Sequence, residues 1–327
     1  MNEYRNIRYI KLYFTVELVE NAVLPVQKAS MFRGGMGEML LRTCCISDRK
    51  CDACGFETEC LVRRIMYSKM EIQPEFMSAG DSVGYVVECD NYMTEFEAGD
   101  RIEFRLILIG KTIVYFSQIL DAFYKLGICG IGKDKVRYRI VSVLNSKKEP
   151  IMEANNIHMD RVKVEKLGTY IDYRKKKLQA YSEGMQVPET GEMQAAGENR
   201  HKKDYDVRFS SPLAIKKDGS QLEKYDIQAM IRAAERRMYI LCCFEGIGID
   251  RNLYQGEMPD MKILSCRRVD VPRFSFRKSE KMVLWGLEGE IKLENVDQEL
   301  IDLLLAGELL HIGRNTSFGF GKYYISL

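Results

Sequence analysis

The chain has 327 residues, 46% of them hydrophobic and 29% charged, with a formal net charge of only +2. That length supports two ordinary domains, each with its own core, and the balanced charge means that any nucleic-acid site must be a local patch. No run approaches the ~20 apolar residues of a spanning helix, and the opening MNEYRNIRYIKLYF has neither an uninterrupted apolar core nor a cleavage site, so it is not expected to act as a signal peptide.

Residues 7–18 (IRYIKLYFTVEL) are β-branched and aromatic with partial alternation, which predicts a strand. A helix is predicted over about 30–42, where Ser30 can cap it and Met36, Met39 and Leu40 share one face. After a cysteine-rich segment, SVGYVVEC and RIEFRLILIG read as strands, and IVYFSQILDAFYKLG as a helix closed by Gly127. The glycine-rich turn GICGIGKDK then enters the strand VRYRIVSVL. This order, βαββαβ, is the ferredoxin-like pattern.

The second half repeats the order. A strand is expected near 159–165 and another at VRFSSPLAIKK, followed by a helix over about 226–244. Strands follow at KILSCRRVDV and KMVLWGLEGEIKLE, then a short helix over 297–306 and a last strand after HIGRNTSFGFGK. Both halves pass from a helix through a glycine-rich turn into a basic, aromatic strand, which reads as an internal duplication. The expected fold is therefore α+β, with two tandem ferredoxin-like domains at 1–148 and 149–327. A four-cysteine knuckle at 44–60 is inserted after the first helix, and a glycine-rich loop occupies 311–323. Residues 178–203 are polar and aperiodic and read as a loop of the second domain.

The ten cysteines are expected as reduced thiols or metal ligands in a cytoplasmic protein. Cys45, Cys51, Cys54 and Cys60 form C-x5-C-x2-C-x5-C, with Cys44 beside the first. Four thiolates around a C-x2-C knuckle suit tetrahedral coordination, and a knuckle this compact leaves no room for substrate, so a structural zinc is expected. An iron–sulfur cluster and free buried cysteines are the alternatives. The polar residues between the cysteines argue against the latter.

Gly313, Gly319 and Gly321 lie just before the last strand, with Arg314 and Lys322 bracketing the loop. Such a loop lets a phosphate approach closely, and its amides suit an anion; a tight hairpin is the alternative. Of the three histidines, His158 and His201 read as surface or satisfied residues. His311 opens the glycine loop, where imidazole chemistry would be useful. Cations interleave with aromatics in RVKVEKLGTYIDYRKKK (161–177) and in CRRVDVPRFSFRK (266–278), which holds Arg273 and Arg277. Cations neutralise phosphates and aromatics stack on unpaired bases, so these suit RNA, although a solvated strand face is the plainer reading of either one alone. The first helix adds Arg33 and Arg42 beside Gly34, Gly35 and Gly37.

Together these residues resemble the CRISPR-associated RAMP superfamily, specifically the precursor-crRNA processing endoribonucleases. The resemblance rests on SSPLAIKKDG, AAERRMYIL, VPRFSFRK, WGLEGEIKLE and ELLHIGRNTSFGFGKYYI, and on FRGGMGEMLLR running into the four-cysteine segment. It implies two ferredoxin-like domains gripping CRISPR repeat RNA within the precursor crRNA. It also implies cleavage without a catalytic metal, in which the ribose 2′-OH attacks the adjacent phosphate and leaves a cyclic phosphate and a 5′-OH. Many members place a catalytic histidine in the first helix, and FRGGMGEMLLR has none. By resemblance, then, His311 is expected as acid or base with Lys322 beside it. Arg33, Arg42, Arg273, Arg277, Gly313, Arg314, Gly319 and Gly321 are expected to hold RNA. A non-catalytic RNA-binding subunit, among other subunits of a CRISPR effector complex, is the alternative; a zinc-containing scaffold with no nucleic-acid role is a third reading.

Overall fold

Alternation sets the first strand. In β1 (Arg8–Leu18), Ile10, Leu12, Phe14 and Val16 are buried, while Lys11, Tyr13, Thr15 and Glu17 fall on the opposite face. The computed structural model describes residues 2–68, 70, 74–77, 83–153, 156–183, 202–275 and 280–327. In it β1 is followed by helices α1 (Lys28–Cys44) and α2 (Leu61–Met66). Then come β2 (Tyr85–Glu88), β3 (Arg101–Ile109), α3 (Phe116–Cys129) and β4 (Tyr138–Leu144). Short strands β5 (Pro150–Glu153), β6 (Asn156–Ile157) and β7 (Glu165–Lys166) close the first half.

The first sheet runs β2-β3-β1-β4-β5-β6, with β7 also pairing with β1. The pairs among β1 to β4 are antiparallel. Because β5 to β7 all bond into this sheet, the boundary expected at residue 148 falls within the first unit, and the next element begins at α4 (Leu167–Ser182). The basic segment 161–177 enters this helix rather than forming a strand face. Leu167, Ile171 and Leu178 are buried.

The second half repeats the connectivity. β8 (Lys203–Leu213), α5 (Ile227–Glu245), β9 (Asp260–Ser275), β10 (Glu280–Val296), α6 (Gln298–Leu310) and β11 (Tyr323–Ser326) follow in order. The sheet runs β9-β10-β8-β11, all antiparallel. In both sheets the chain order across the four principal strands is second, third, first, fourth. Asp226 and Asp297 cap α5 and α6 by accepting from Ala229 N–H and Leu300 N–H, each at 2.8 Å.

One core lies between the first sheet and α1 and α3, with Phe32, Phe14 and Phe123 around Phe104. Gly35 permits the close approach of α1 to α3, since a Cβ there would lie 2.5 Å from Leu126. Gly37 does the same for Met66 of α2. These glycines serve helix packing, which explains their cost in a helix and removes them as an RNA approach.

The second core reaches across the halves, because Tyr9, Val86, Ile107 and Ile109 of the first sheet are buried with the residues of α5 and α6. Burying an apolar side chain is worth roughly 1.5–3 kcal/mol, so these four residues alone hold the halves together strongly. Ion pairs Arg5–Asp302 (2.8 Å) and Arg8–Glu245 (2.7 Å) rim that contact.

β10 pairs with β8 only as far as Leu287, opposite Leu213, so residues 280–286 pair with β9 alone. The resulting hairpin arm extends roughly 20 Å past the sheet. Val271 on the arm is buried with Ala214 and Phe320, which brings the arm over the glycine-rich loop. Among the described residues no helix is long and apolar enough to cross a membrane.

Candidate nucleic-acid interface

Three elements meet where the halves join: α1 of the first, the β9 arm of the second, and the loop between α6 and β11. The loop contributes a turn of 3-10 helix, Thr316–Phe318, entered through Asn315 and left through Gly319, both left-handed. Gly319 has φ +84°, and a Cβ there would lie 2.7 Å from the Val87 carbonyl oxygen of β2. Gly321 has φ +73°, and a Cβ would lie 1.9 Å from the Ile312 carbonyl oxygen. No other residue fits either position. Gly313 likewise presses on Ala214, whose carbonyl accepts from Arg314 N–H at 2.8 Å. Gly321 N–H donates to Pro212 at 3.0 Å. The glycines thus seat the loop against protein backbone rather than cradling a phosphate.

That seating aims Phe318 at two arginines. The Arg33 guanidinium of α1 lies 4.2 Å from the Phe318 ring centroid, and that of Arg273 on the arm also lies at 4.2 Å. Arg33 Nε donates to Tyr85 Oη at 3.1 Å. Arg273 Nε is buried without a hydrogen-bond partner among the described residues. Burial first, and the Arg33 charge second, push the Arg273 pKa below its ordinary value. Two like charges on one ring repel each other, so an anion between them relieves the strain. A phosphodiester has the charge and size to do so. A crevice beside this pair is lined by Ser211, Val271 and Phe318, and by the charged groups Glu88, Asp90 and Lys322.

The same loop is clamped to the first half by a buried polar cluster that the sequence reading did not foresee. His311, fully buried and at φ +60°, ends α6. Its Nδ1 is 2.9 Å from the Phe320 carbonyl oxygen and its Nε2 is 3.0 Å from Glu88 Oε1. Both oxygens are acceptors, so a neutral ring can donate to only one; the Glu88 carboxylate makes the stronger, charge-assisted bond. Burial outweighs these contacts and pushes the imidazole pKa below its ordinary value of 6.5.

Glu88 itself receives Lys322 Nζ at 3.2 Å and Arg105 Nη1 at 3.1 Å. Burial opposes its charge, but Lys11, His311 and Lys322 hold its carboxyl well below the usual range. Lys322 Nζ also donates to both carboxylate oxygens of Asp90 at 2.8 Å, and Arg105 pairs with Asp90. Burial works against the Lys322 charge, yet Glu88, with Tyr324 and Asp90, raises its pKa.

His311 and Lys322, expected at the reacting phosphate, are therefore corrected to buried links between the halves. His311 is wholly buried on Glu88 and the Phe320 carbonyl, and Lys322, at the wall of the crevice, is spent on Glu88 and Asp90. Of the residues expected to hold RNA, Arg33 and Arg273 come together, and Arg314 is exposed on the loop. Arg42 does not join them: nine positions from Arg33 it turns to the opposite side of α1, about 900° further round, where it pairs with Glu38 at 2.9 Å. Arg277 lies outside the described residues. A signal for Glu88 and Asp90 was present, since an acid ends the apolar run SVGYVVEC.

The four cysteines lie on an exposed excursion between α1 and α2. Cys45 Sγ accepts from Arg49 N–H at 3.2 Å, and Cys44 lies near Cys60. Among the described residues no three His, Cys, Asp or Glu side chains are gathered as metal ligands.

Residues 207–323 match the family model of the CRISPR-associated endoribonuclease Cas6. Over those residues the chain is similar to the Cas6 endoribonuclease family. Residues 7–166 match a second family model, described as an N-terminal domain. A search of curated proteins finds no match. Among solved structures, the chain is similar to a partial Cas6-RT-Cas1–Cas2 complex, at TM-score 0.54 and 10% identity, over 98% of this chain and 46% of that one. It is similar to a Cas6-RT-Cas1–Cas2 complex at the same score and identity, over 98% and 29%. Thermus thermophilus Cas6 follows at TM-score 0.48 and 11% identity, over 98% of each chain. The chain thus spans less than half the length of the first two, and at these identities the first two speak for the fold alone.

Proposed function

We propose that the protein binds the repeat of a CRISPR precursor RNA across the junction of its halves and cuts it by transesterification. The match of residues 207–323 to the Cas6 endoribonuclease model carries this reading. On it the two sheets are tandem ferredoxin-like domains with their boundary near residue 166, in a cytoplasmic protein. The 2′-oxygen loses its proton as it bonds to phosphorus, and the 5′-oxygen takes one as its bond to phosphorus breaks. The products are a 2′,3′-cyclic phosphate and a 5′-OH. Arg33 and Arg273 stabilise the charge that builds on the phosphorane, without a catalytic metal. His311 and Lys322 act by holding the loop that presents Phe318.

The test is incubation with labelled repeat RNA in EDTA at neutral pH. One discrete cut, lost when the 2′-OH at the scissile position is replaced by hydrogen, is expected. Arg33→Ala and Arg273→Ala are each expected to slow it roughly 10–100-fold. The burial of His311 favours a second reading, a non-catalytic RNA-binding subunit of a CRISPR complex. Tight binding of the repeat with no cut would establish that one instead.

We also propose a structural zinc on Cys45, Cys51, Cys54 and Cys60, on the strength of the donor set and the Arg49 N–H bond to Cys45. One equivalent of zinc in the purified protein, and a lower Tm on chelation, are expected. Association with other CRISPR proteins is proposed on the same footing as the RNA.

A further inference from the structure

Arg237 of α5 is a buried cation that no part of the site described above uses. It is 4% exposed, and its Nε donates to the Leu310 carbonyl oxygen at 3.1 Å. Its Nη2 is buried without a hydrogen-bond partner among the described residues. Lys322 and Arg174, also largely buried, each meet a carboxylate, at Glu88 and Glu308. Arg237 has no such neighbour: burial, with no carboxylate opposing it, pushes its pKa down to about 9, so it keeps its charge at neutral pH. A buried cation without a counter-charge costs the fold more than an apolar side chain in its place. Packing alone therefore does not account for an arginine here.

The carbonyl it holds does. Leu310 ends α6, and its C=O belongs to the peptide plane that leads into His311. The orientation of that plane sets φ of His311, which is +60° with ψ 158°, a region that only glycine enters freely. A residue with a side chain stays there only where its surroundings fix it. Glu88 fixes the imidazole. The Arg237 guanidinium fixes the backbone, and its charge meets the partial negative charge of the helix end. The loop follows from that turn. Ile312 N–H donates to Gly321 at 3.3 Å and Arg314 N–H to Ala214 at 2.8 Å, and Phe318 is carried to Arg33 and Arg273. A rotated Leu310–His311 peptide would redirect all three.

We propose that Arg237 is a positioning residue: it locks the peptide between Leu310 and His311 in its strained orientation and so holds the loop that presents Phe318 to the two arginines. As a contribution to RNA cutting this rests on the function proposed above; as the anchor of the loop it stands on the geometry alone.

The first measurement is amide hydrogen exchange on the whole protein without RNA. Arg237→Met, close in length and uncharged, is expected to speed exchange at Arg314, Phe318 and Gly321 at least tenfold, with β8 and β10 staying within twofold of the parent. Its Tm is expected at or above the parent's, because a buried charge is gone. Arg237→Lys, which keeps a charge and a donor, is expected to bring loop exchange back to within threefold. In single-turnover cutting of labelled repeat RNA at saturating protein, the methionine variant is expected to be at least tenfold slower and the lysine variant to recover most of that loss. A purely structural arginine would instead lower the Tm and loosen the second core evenly, and that result would overturn the proposal. So would parent-like loop exchange or parent-like cutting in Arg237→Met, or no rescue by lysine. Failure of the parent protein to bind or cut repeat RNA, with loop exchange still dependent on Arg237, would sink the RNA reading and leave the anchor standing.

Discussion

The two halves share a connectivity but use its last connection differently. In the first, the turn after α3 closes on itself: Gly130 ends the helix at φ +86°, and Ile131 bridges to Val136 within the same unit. In the second, the loop after α6 crosses to the other half, where Gly319 packs on Val87 and His311 and Lys322 engage Glu88. A repeated topology therefore does not repeat a role. The first turn completes a fold, and the second joins two folds and carries Phe318 to the arginines.

Glu88→Ala is expected to break this difference most strongly. It leaves Lys322 and Arg105 short of a buried counter-charge, which costs about 3–5 kcal/mol, read as a fall in the urea midpoint. Gly321→Ala comes next, at roughly 1–3 kcal/mol for the left-handed backbone alone, and it should weaken RNA binding with stability. Gly132→Ala in the first turn, where a Cβ meets nothing nearer than 3.3 Å, should lower the Tm less and leave RNA affinity in place.

Acid sharpens the comparison further. His311 is depressed below 6.5 and Glu88 below 4.5, so the unfolded chain binds more protons than the folded one as pH falls through those values. Stability present at pH 7 is then lost progressively, first below about 6.5 for His311 and then below about 4.5 for Glu88. Urea midpoints at pH 7 and pH 5 should differ in the parent and differ less in His311→Asn. Arg42→Ala, an exposed i,i+4 partner of Glu38, should change stability by no more than about 0.5 kcal/mol.

Much of the fold was legible because alternation and helical periodicity are local. The order of strands and helices followed from them, with ends shifted by a few residues. For example, α3 runs past Gly127 to Cys129, because Gly127 packs on Tyr138 while Gly130 makes the left-handed exit. The helix α4 was missed because its cations looked like a solvated strand face. Their partners, Glu308 for Arg174 and Asp302 for Lys175, come from α6, more than a hundred residues on. At the site, Arg33 and Arg273 were recognisable as cations beside flexible or aromatic sequence. Their meeting on Phe318 depends on three separate elements, and the burial of His311 depends on Glu88, so neither could be read from spacing.

The contact between Glu88 and His311 joins positions 223 residues apart in sequence. Each sheet, by contrast, closes within its own half, its widest pairing being Arg8 with Lys166 in the first and Asp206 with Ser326 in the second. Closing the longer loop between the halves carries the larger entropic toll. The two halves are therefore expected to order first, and the clamp to close last. Weakening it should raise the unfolding rate far more than it slows refolding.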